Sequence, residues 1–118
     1  LAHVESLRLL RNCLVKEDST TLWITPAIPK EWLGKQGDTI GLEKAPTRFG
    51  PIDFQLKHKG SSIELLIKHQ FHTKPKDIRI RLPYTISTLK LAHTEKKVNS
   101  DTTSIPIQAQ SIEFIIKK

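Results

Sequence analysis

Hydrophobic and polar residues change their spacing along the chain. In residues 1–18 apolar residues recur every three or four positions, as on one face of an amphipathic helix. These residues are Leu1, Val4, Leu7, Leu10 and Leu14. From residue 51 onward apolar residues alternate with polar ones, which is typical of strands that bury one face. The pattern predicts one N-terminal α-helix followed by a mainly β body.

Turn-forming residues divide the β region into about seven strands. These are expected within 20–26, 52–57, 63–68, 78–82, 85–93, 104–110 and 111–118. Pro83 is expected to end a strand, and the polar stretch 94–104 is expected to be a long turn. Short strands at this spacing, without a helical pattern between them, favour an antiparallel β-sandwich in which each sheet buries one side.

Residues 26–50, PAIPKEWLGKQGDTIGLEKAPTRFG, follow neither pattern. They hold three of the seven prolines, four of the five glycines and Trp32. Pro26 and Pro29 restrict the backbone, and Trp32 with Leu33 supplies an apolar anchor. A flexible linker would instead be rich in Gly and Ser. We therefore expect 19–50 to be a rigid connector between a helix at 1–18, which would end a missing helical domain, and a sandwich body at 51–118, in one domain overall.

Charge and composition narrow the function classes. The chain has 19 basic and 12 acidic residues, a net charge of +7, but its basic residues are spread singly between apolar ones. It has no Arg-rich run, and 6% aromatic residues are too few for a base-stacking surface. Nucleic acid is therefore not an expected partner and stays a weak alternative. No apolar run approaches the roughly 20 residues of a membrane helix, so no membrane contact is expected.

Side chains suited to catalysis or metal binding are scattered. The acidic residues of the β region occur singly, and neither a nucleophile motif nor a phosphate-binding glycine loop is present. His69 and His72, three apart on a strand, point to opposite faces. His58 is placed to face His69 across the turn at Gly60, but two imidazoles make a weak site. We expect no catalytic residue, metal or cofactor in this chain, and we expect it not to be an enzyme alone.

The two tryptophans have different expected places. Trp23 lies inside a short apolar strand and is expected in the core. Trp32 follows two charged residues. Its side chain is expected either to pack against the protein or to make an exposed contact with a ligand, and the sequence leaves both open. An aromatic ring on the rim of a sandwich can stack on a sugar, so Trp32 and Tyr84 are the candidate carbohydrate contacts, with Phe71 as a further aromatic.

The connector and its flanks resemble a known family. LWITPAIPKEWLGKQGDTIGLEKAPTRFGPIDFQL is similar to the segment that joins the helical barrel to the C-terminal β-sandwich in six-hairpin (α/α)6-barrel glycoside hydrolases of the bacterial polysaccharide-degrading type, including rhamnosidase-like and uncharacterised members. Shared elements are an apolar strand, a Pro-Lys-x-Trp-Leu element and a Pro-Thr-x-Phe-Gly element. The residues that match with structural roles are Trp23, Pro29, Trp32, Leu33, Pro46, Thr47, Phe49 and Gly50. The helix at 1–18 also resembles the last helix of such a barrel.

The resemblance implies a domain role rather than an active site. The catalytic carboxylates of that family belong to the helical barrel, and no position here matches them. The expected function is a non-catalytic C-terminal accessory domain of a larger glycoside hydrolase, whose partner is the missing (α/α)6-barrel. The alternative is a carbohydrate-binding module for a polysaccharide. The resemblance also implies a periplasmic or secreted location.

Overall fold

The computed structural model describes residues 14–117. Strands hold about 60% of these residues, so the predicted mainly β character is confirmed. The strands are β1 (Val15–Asp18), β2 (Thr21–Ile24), β3 (Thr39–Ala45), β4 (Ile52–His58), β5 (Ser62–His69), β6 (Asp77–Lys90), β7 (Glu95–Ile105) and β8 (Ser111–Lys117), with a 3-10 helix at Lys30–Leu33 between β2 and β3.

The strands form one curled sheet. Their order is β1-β2-β6-β8-β5-β4-β3, and β7 pairs with β6 outside this path. β2 runs parallel to β6, whereas the other pairs are antiparallel. The sheet is thus mixed and curls into a half-barrel. The expected antiparallel sandwich is wrong in this respect, because a single sheet bends around its own core.

Alternation along the strands sets the two faces of this sheet. In β4 the buried residues Ile52, Phe54 and Leu56 alternate with more exposed neighbours. β5 and β8 repeat the pattern, and Leu65 and Phe114 from these strands are fully buried. The inner face therefore forms the core, and the outer face of the sheet carries mainly polar residues.

The predicted N-terminal helix is wrong at its C-terminal end. Residues 1–13, which include Cys13, lie outside the described residues. Val15–Asp18 form β1, which pairs antiparallel with β2. A two-residue turn at Ser19 and Thr20 joins the strands, with Ser19 at φ 56°. Pairing with β2 and complete burial of Val15 outweigh the helical spacing, because sheet contacts override local propensity.

β6 continues through Pro83, where the sequence predicts a strand end. Proline has no N–H to donate to a ladder, yet here that loss is small. β2 pairs only as far as Ile80, β8 pairs from Thr85 onward, and the β7 register is interrupted between Arg81 and Ile86. Pro83 falls in the unpaired gap, so one long strand serves both parts of the sheet.

The polar stretch expected to be a turn is instead an edge strand. β7 pairs antiparallel with β6 from Glu95–Lys90 to Ile105–Ile78. Its first residues are mostly exposed, including Lys96 and Lys97, and Asn99 has a positive φ of 53°. Charged residues and irregular backbone are common on edge strands, where they discourage further pairing. The strand expected at 104–110 is also shorter, because β7 ends at Ile105 and a turn follows.

Candidate functional site

The connector is anchored to the sheet at the 3-10 helix. The helix follows Pro29, whose φ of −66° is the value that proline imposes. Leu33 at the end of the helix is fully buried. The Tyr84 hydroxyl of β6 donates a hydrogen bond to the Leu33 carbonyl oxygen over 2.8 Å. One apolar side chain and one buried hydrogen bond therefore fix the connector against the longest strand.

Tyr84 is enclosed at this junction. Its side chain is 8% exposed, and its ring centroid lies 5.8 Å from that of His58. The Lys30 ammonium lies 4.9 Å from the centroid of the same ring, a cation–π distance. Burial first, and the negative charge of Asp38 second, raise the pKa of Tyr84 above its usual value. Both effects keep the phenol neutral, so it remains a donor to Leu33.

The predicted contact aromatics occupy different environments. Trp32 is half-buried and packs against the core from the 3-10 helix, whereas Tyr84 shows little of its ring. Trp23 is half-buried too, because Leu22 and Ile24 take the inner positions of β2. Its ring lies 5.8 Å from the guanidinium carbon of Arg79. The core position expected for Trp23 is therefore wrong, and its interdomain role stays a prediction.

The Pro46–Gly50 element forms a tight corner before β4. The Thr47 hydroxyl donates to the Gly50 carbonyl oxygen and accepts a hydrogen bond from the Phe49 N–H over 3.1 Å. Phe49 is 4% exposed and meets Phe71 edge-on, with ring centroids 6.5 Å apart. Pro46 enters the corner from the end of β3. The Thr side chain thus folds the turn that places Phe49 in the core.

Gly50 is required by both conformation and space. Its φ is 132°, a region that residues with a Cβ rarely adopt. A Cβ at this position would lie 2.4 Å from the Gln70 carbonyl oxygen. In addition, the Gln70 backbone N–H donates a hydrogen bond to the Pro51 carbonyl oxygen over 3.1 Å. The corner and the end of β5 are therefore in direct backbone contact.

The histidines do not converge. His58 pairs in register with Ile63, and His69 pairs with Ile52, so they lie at opposite ends of the β4–β5 hairpin. The expected juxtaposition across Gly60 is wrong. The His58 Nδ1 accepts a hydrogen bond from the Gly60 N–H over 3.0 Å. Within residues 14–117 no three His, Cys, Asp or Glu side chains are grouped to hold a metal ion.

The strand register pairs two carboxylates that the sequence alone does not bring together. Glu64 on β5 lies directly opposite Glu113 on β8. Lys59 is 3.2 Å from the Glu64 carboxylate, and the Ser62 hydroxyl donates to Glu113 over 2.9 Å. These neighbours offset the repulsion between like charges on adjacent strands. Acid–base catalysis normally operates in a closed pocket. This pair of carboxylates lies on the open outer face of the sheet.

Two adjoining cavities form a groove on the outer side of β3, β4 and β5. Their volumes are about 740 and 530 Å³.

A third cavity of about 580 Å³ lies apart from these, between Pro26–Ile28 and β6. Asp53, Ile67, Lys68 and Gln110 line both cavities of the groove, so the two are continuous. We call this surface the outer groove.

The outer groove is the feature that the sequence did not reveal. Its side chains come from β3, β4, β5 and the turn before β8, and alternation alone marks them only as solvent-facing. The register Gly41–Gln55–Leu66–Ser111 across four strands brings them into one row. No local motif in the sequence carries that information.

Comparison with known proteins gives no relative for this chain: no family model matches it, and neither a curated protein nor a solved structure is significantly similar. Among the described residues, no helix is long and apolar enough to cross a membrane.

Proposed function

We propose that this chain is a non-catalytic accessory β-domain of a larger glycoside hydrolase, where it packs against the catalytic barrel and stabilises it. The proposal rests on the sequence resemblance across the connector. The observation that supports it is the anchoring of that connector: Leu33 and Phe49 are buried, and Tyr84 bonds to the Leu33 carbonyl oxygen. A segment fixed in this way transmits a defined orientation to whatever precedes it.

The connector also keeps apolar surface for a partner. Ile28 and Trp32 pack against the core but remain half-exposed. Pro26, Ala27 and Ile28 line a cavity of about 580 Å³ next to β6. Partly exposed apolar residues beside a concave surface suit contact with a second domain. We assign the contact with the barrel to this side of the connector.

Hydrogen exchange tests the accessory role. It would compare the isolated chain with the longer protein that includes the catalytic domain. We expect the amides of residues 26–38 to exchange more slowly in the longer protein, because the partner covers them. β5 serves as the internal control, since it lies inside the sheet in both samples. Equal protection of residues 26–38 in the two proteins would rule out the interdomain contact.

Carbohydrate binding at Trp32 is a second candidate. Its indole is half-buried, which leaves part of the ring accessible, whereas Tyr84 at 8% exposure presents little surface for stacking. Titration with polysaccharides, with Trp32→Ala as the comparison, tests this role. Equal binding by the wild type and the variant would exclude Trp32 as a sugar contact.

A further inference from the structure

The outer groove gathers most of the glutamines of the chain. The sequence has five, and four of them line the groove: Gln55, Gln70, Gln108 and Gln110. They come from β4, the end of β5 and the turn between β7 and β8. The remaining one, Gln36, lies next to the turn at Gly60. This grouping concentrates neutral hydrogen-bonding groups in one concave surface.

The amide groups of these glutamines are available to a ligand. All four residues are exposed. Across residues 14–117, none of their side-chain amides has a hydrogen bond to another protein group, whereas the backbone of Gln110 accepts one from the Ile67 N–H over 2.9 Å. Each amide offers two donors and one acceptor oxygen. A ligand with many hydroxyl groups matches that combination, because each hydroxyl both donates and accepts.

Charge in the outer groove is balanced. Lys44 and Lys68 contribute two positive charges, and Glu43 and Asp53 contribute two negative ones. Asp53 lies directly opposite Lys68 on the neighbouring strand and accepts a hydrogen bond from the Lys44 backbone N–H. A groove without net charge gives no preference to an anion or a cation, which favours a neutral ligand.

The larger cavity of the outer groove carries an exposed apolar side chain. Leu66 is 44% exposed, and it is the large hydrophobic residue most open to solvent among the described residues. It lies in the row between Gln55 and Ser111. An aliphatic side chain between hydrogen-bonding groups suits the C–H face of a pyranose ring, which is apolar while its edge is hydroxylated.

We propose that the outer groove binds a neutral oligosaccharide, with the amides of Gln55 and Gln110 bonded to its hydroxyls and Leu66 beneath a sugar ring. The groove chemistry indicates a ligand with many hydroxyl groups, and identifying that ligand as an oligosaccharide rests on the proposed function. Each of the two cavities, at about 740 and 530 Å³, is within the size range of small-molecule sites. Without an aromatic platform in the groove, binding is weak and depends mainly on the amides.

Titration followed by NMR tests this proposal. The probes are neutral oligosaccharides of glucose, xylose, mannose and rhamnose, with oligogalacturonate as the charged comparison. We expect saturable shifts of groove residues with at least one neutral sugar. Replacing Gln55→Ala or Gln110→Ala should weaken that binding about three- to tenfold each, the value of one lost hydrogen bond. Thermal unfolding checks that the variants fold.

Gln36→Ala is the matched control, because it removes the same group outside the outer groove. It should bind like the wild type, and affinity for the neutral sugar should change little with salt, since no ion pair forms. The proposal is overturned if no neutral sugar binds, if Gln36→Ala weakens binding as much as Gln55→Ala, or if oligogalacturonate binds better with strong salt dependence.

Failure here is separable from failure of the accessory role. Protection of residues 26–38 in the longer protein without any sugar binding would sustain the accessory role and reject the glycan groove. Sugar binding by the isolated chain, without protection of residues 26–38 in the longer protein, would sustain the glycan groove and reject the accessory role. If β3 and β4 become protected from exchange in the longer protein, the groove is an interdomain contact and the glycan proposal is wrong.

Discussion

Thr25 combines features that rarely occur together in one residue. It is β-branched, fully buried and has a positive φ of 50°, and it precedes Pro26. Such a conformation costs about 1–3 kcal/mol. The surroundings hold it in place: the Thr25 N–H donates to the Leu14 carbonyl oxygen over 2.7 Å, and its hydroxyl donates to the Arg81 carbonyl oxygen over 2.7 Å. This residue ties the end of β2 to β6.

Thr25→Val should lower the free energy of unfolding by about 1–3 kcal/mol, because it keeps the shape but removes the hydroxyl that satisfies Arg81. Urea unfolding measures the effect. Thr85→Val is the control, since Thr85 is exposed on β6 and a change within about 0.5 kcal/mol is expected there. Equal effects of the two substitutions would mean that the Thr25 hydroxyl contributes nothing specific.

Tyr84 gives the fold a dependence on alkaline pH. Its pKa is raised in the folded protein, so its contribution to stability is fully present below its usual value of about 10. As pH rises further, the unfolded chain loses the phenol proton first, and the free energy of unfolding falls until the folded pKa is passed. Between the usual pKa of tyrosine and the raised pKa of the folded protein, the Tyr84→Phe variant should lose less stability than the wild type as pH rises.

The titration of Tyr84 can be followed directly. It is the one tyrosine of the chain, so the tyrosinate absorbance band reports this residue alone. We expect the folded protein to titrate at higher pH than the same chain in denaturant. A midpoint in the folded protein at or below that of the denatured chain would contradict the assignment of burial and Asp38 as its causes.

At the scale of elements, the Pro46–Gly50 corner shows how a short motif sets a larger contact. The Thr47 hydroxyl closes the turn, Phe49 enters the core, and Gly50 touches the backbone of Gln70. The connector is therefore stabilised at its C-terminal end by this corner and near its middle by the buried Leu33. Disrupting the corner should separate β4 from the end of β5.

Gly50→Ala should destabilise the protein by more than about 3 kcal/mol, because both its φ and its contact with Gln70 exclude a Cβ. Gly37→Ala is the matched comparison: Gly37 also has a positive φ, 97°, but nothing lies within 4 Å of an added Cβ. It should cost about 1–2 kcal/mol. Chemical unfolding compares them.

Thr47→Val provides a second measurement if Gly50→Ala does not fold. It removes the two hydrogen bonds of the hydroxyl and should cost about 1–2 kcal/mol. If Gly37→Ala proves as damaging as Gly50→Ala, close backbone approach is not what makes Gly50 necessary.

The hydrophobic pattern predicts a strand correctly where that strand carries its own signal. The period-two runs at 52–57 and 63–68 correspond to β4 and β5, since each buries one face. Where strand pairing decides, the pattern predicts the wrong element: it predicts helix for β1, and it predicts a turn for the polar β7 because an edge strand needs little apolar surface. The outer groove is not predictable for the same reason, because only the strand register brings Gln55 and Gln110 to one surface.

At the scale of the whole molecule, the positive charge of the chain acts on its stability. The net charge of +7 makes the average pair of charges repulsive in the compact state. The ion pairs that offset it, such as Arg81–Asp101 with side chains 56% and 45% exposed, are weak at the surface. The destabilisation from like-charge repulsion should therefore exceed the stabilisation from these ion pairs.

Stability should rise modestly as sodium chloride is added from low ionic strength. At 0.1 M salt the Debye length is about 10 Å, so repulsion between charges farther apart than that is largely screened. Urea unfolding at several salt concentrations measures the trend. A steady loss of stability with salt would show that the surface ion pairs contribute more than the net charge costs.

The parallel pairing of β2 with β6 has a consequence for synthesis. The β1–β2 hairpin leaves the ribosome before its partner strand β6, which begins at Asp77. Until then Leu22 and Ile24 have no Ile78 or Ile80 to pack against, so the nascent chain carries an uncovered apolar hairpin. Chains are made from the N-terminus onward, so this hairpin cannot dock until residues 25–80 have also been synthesised.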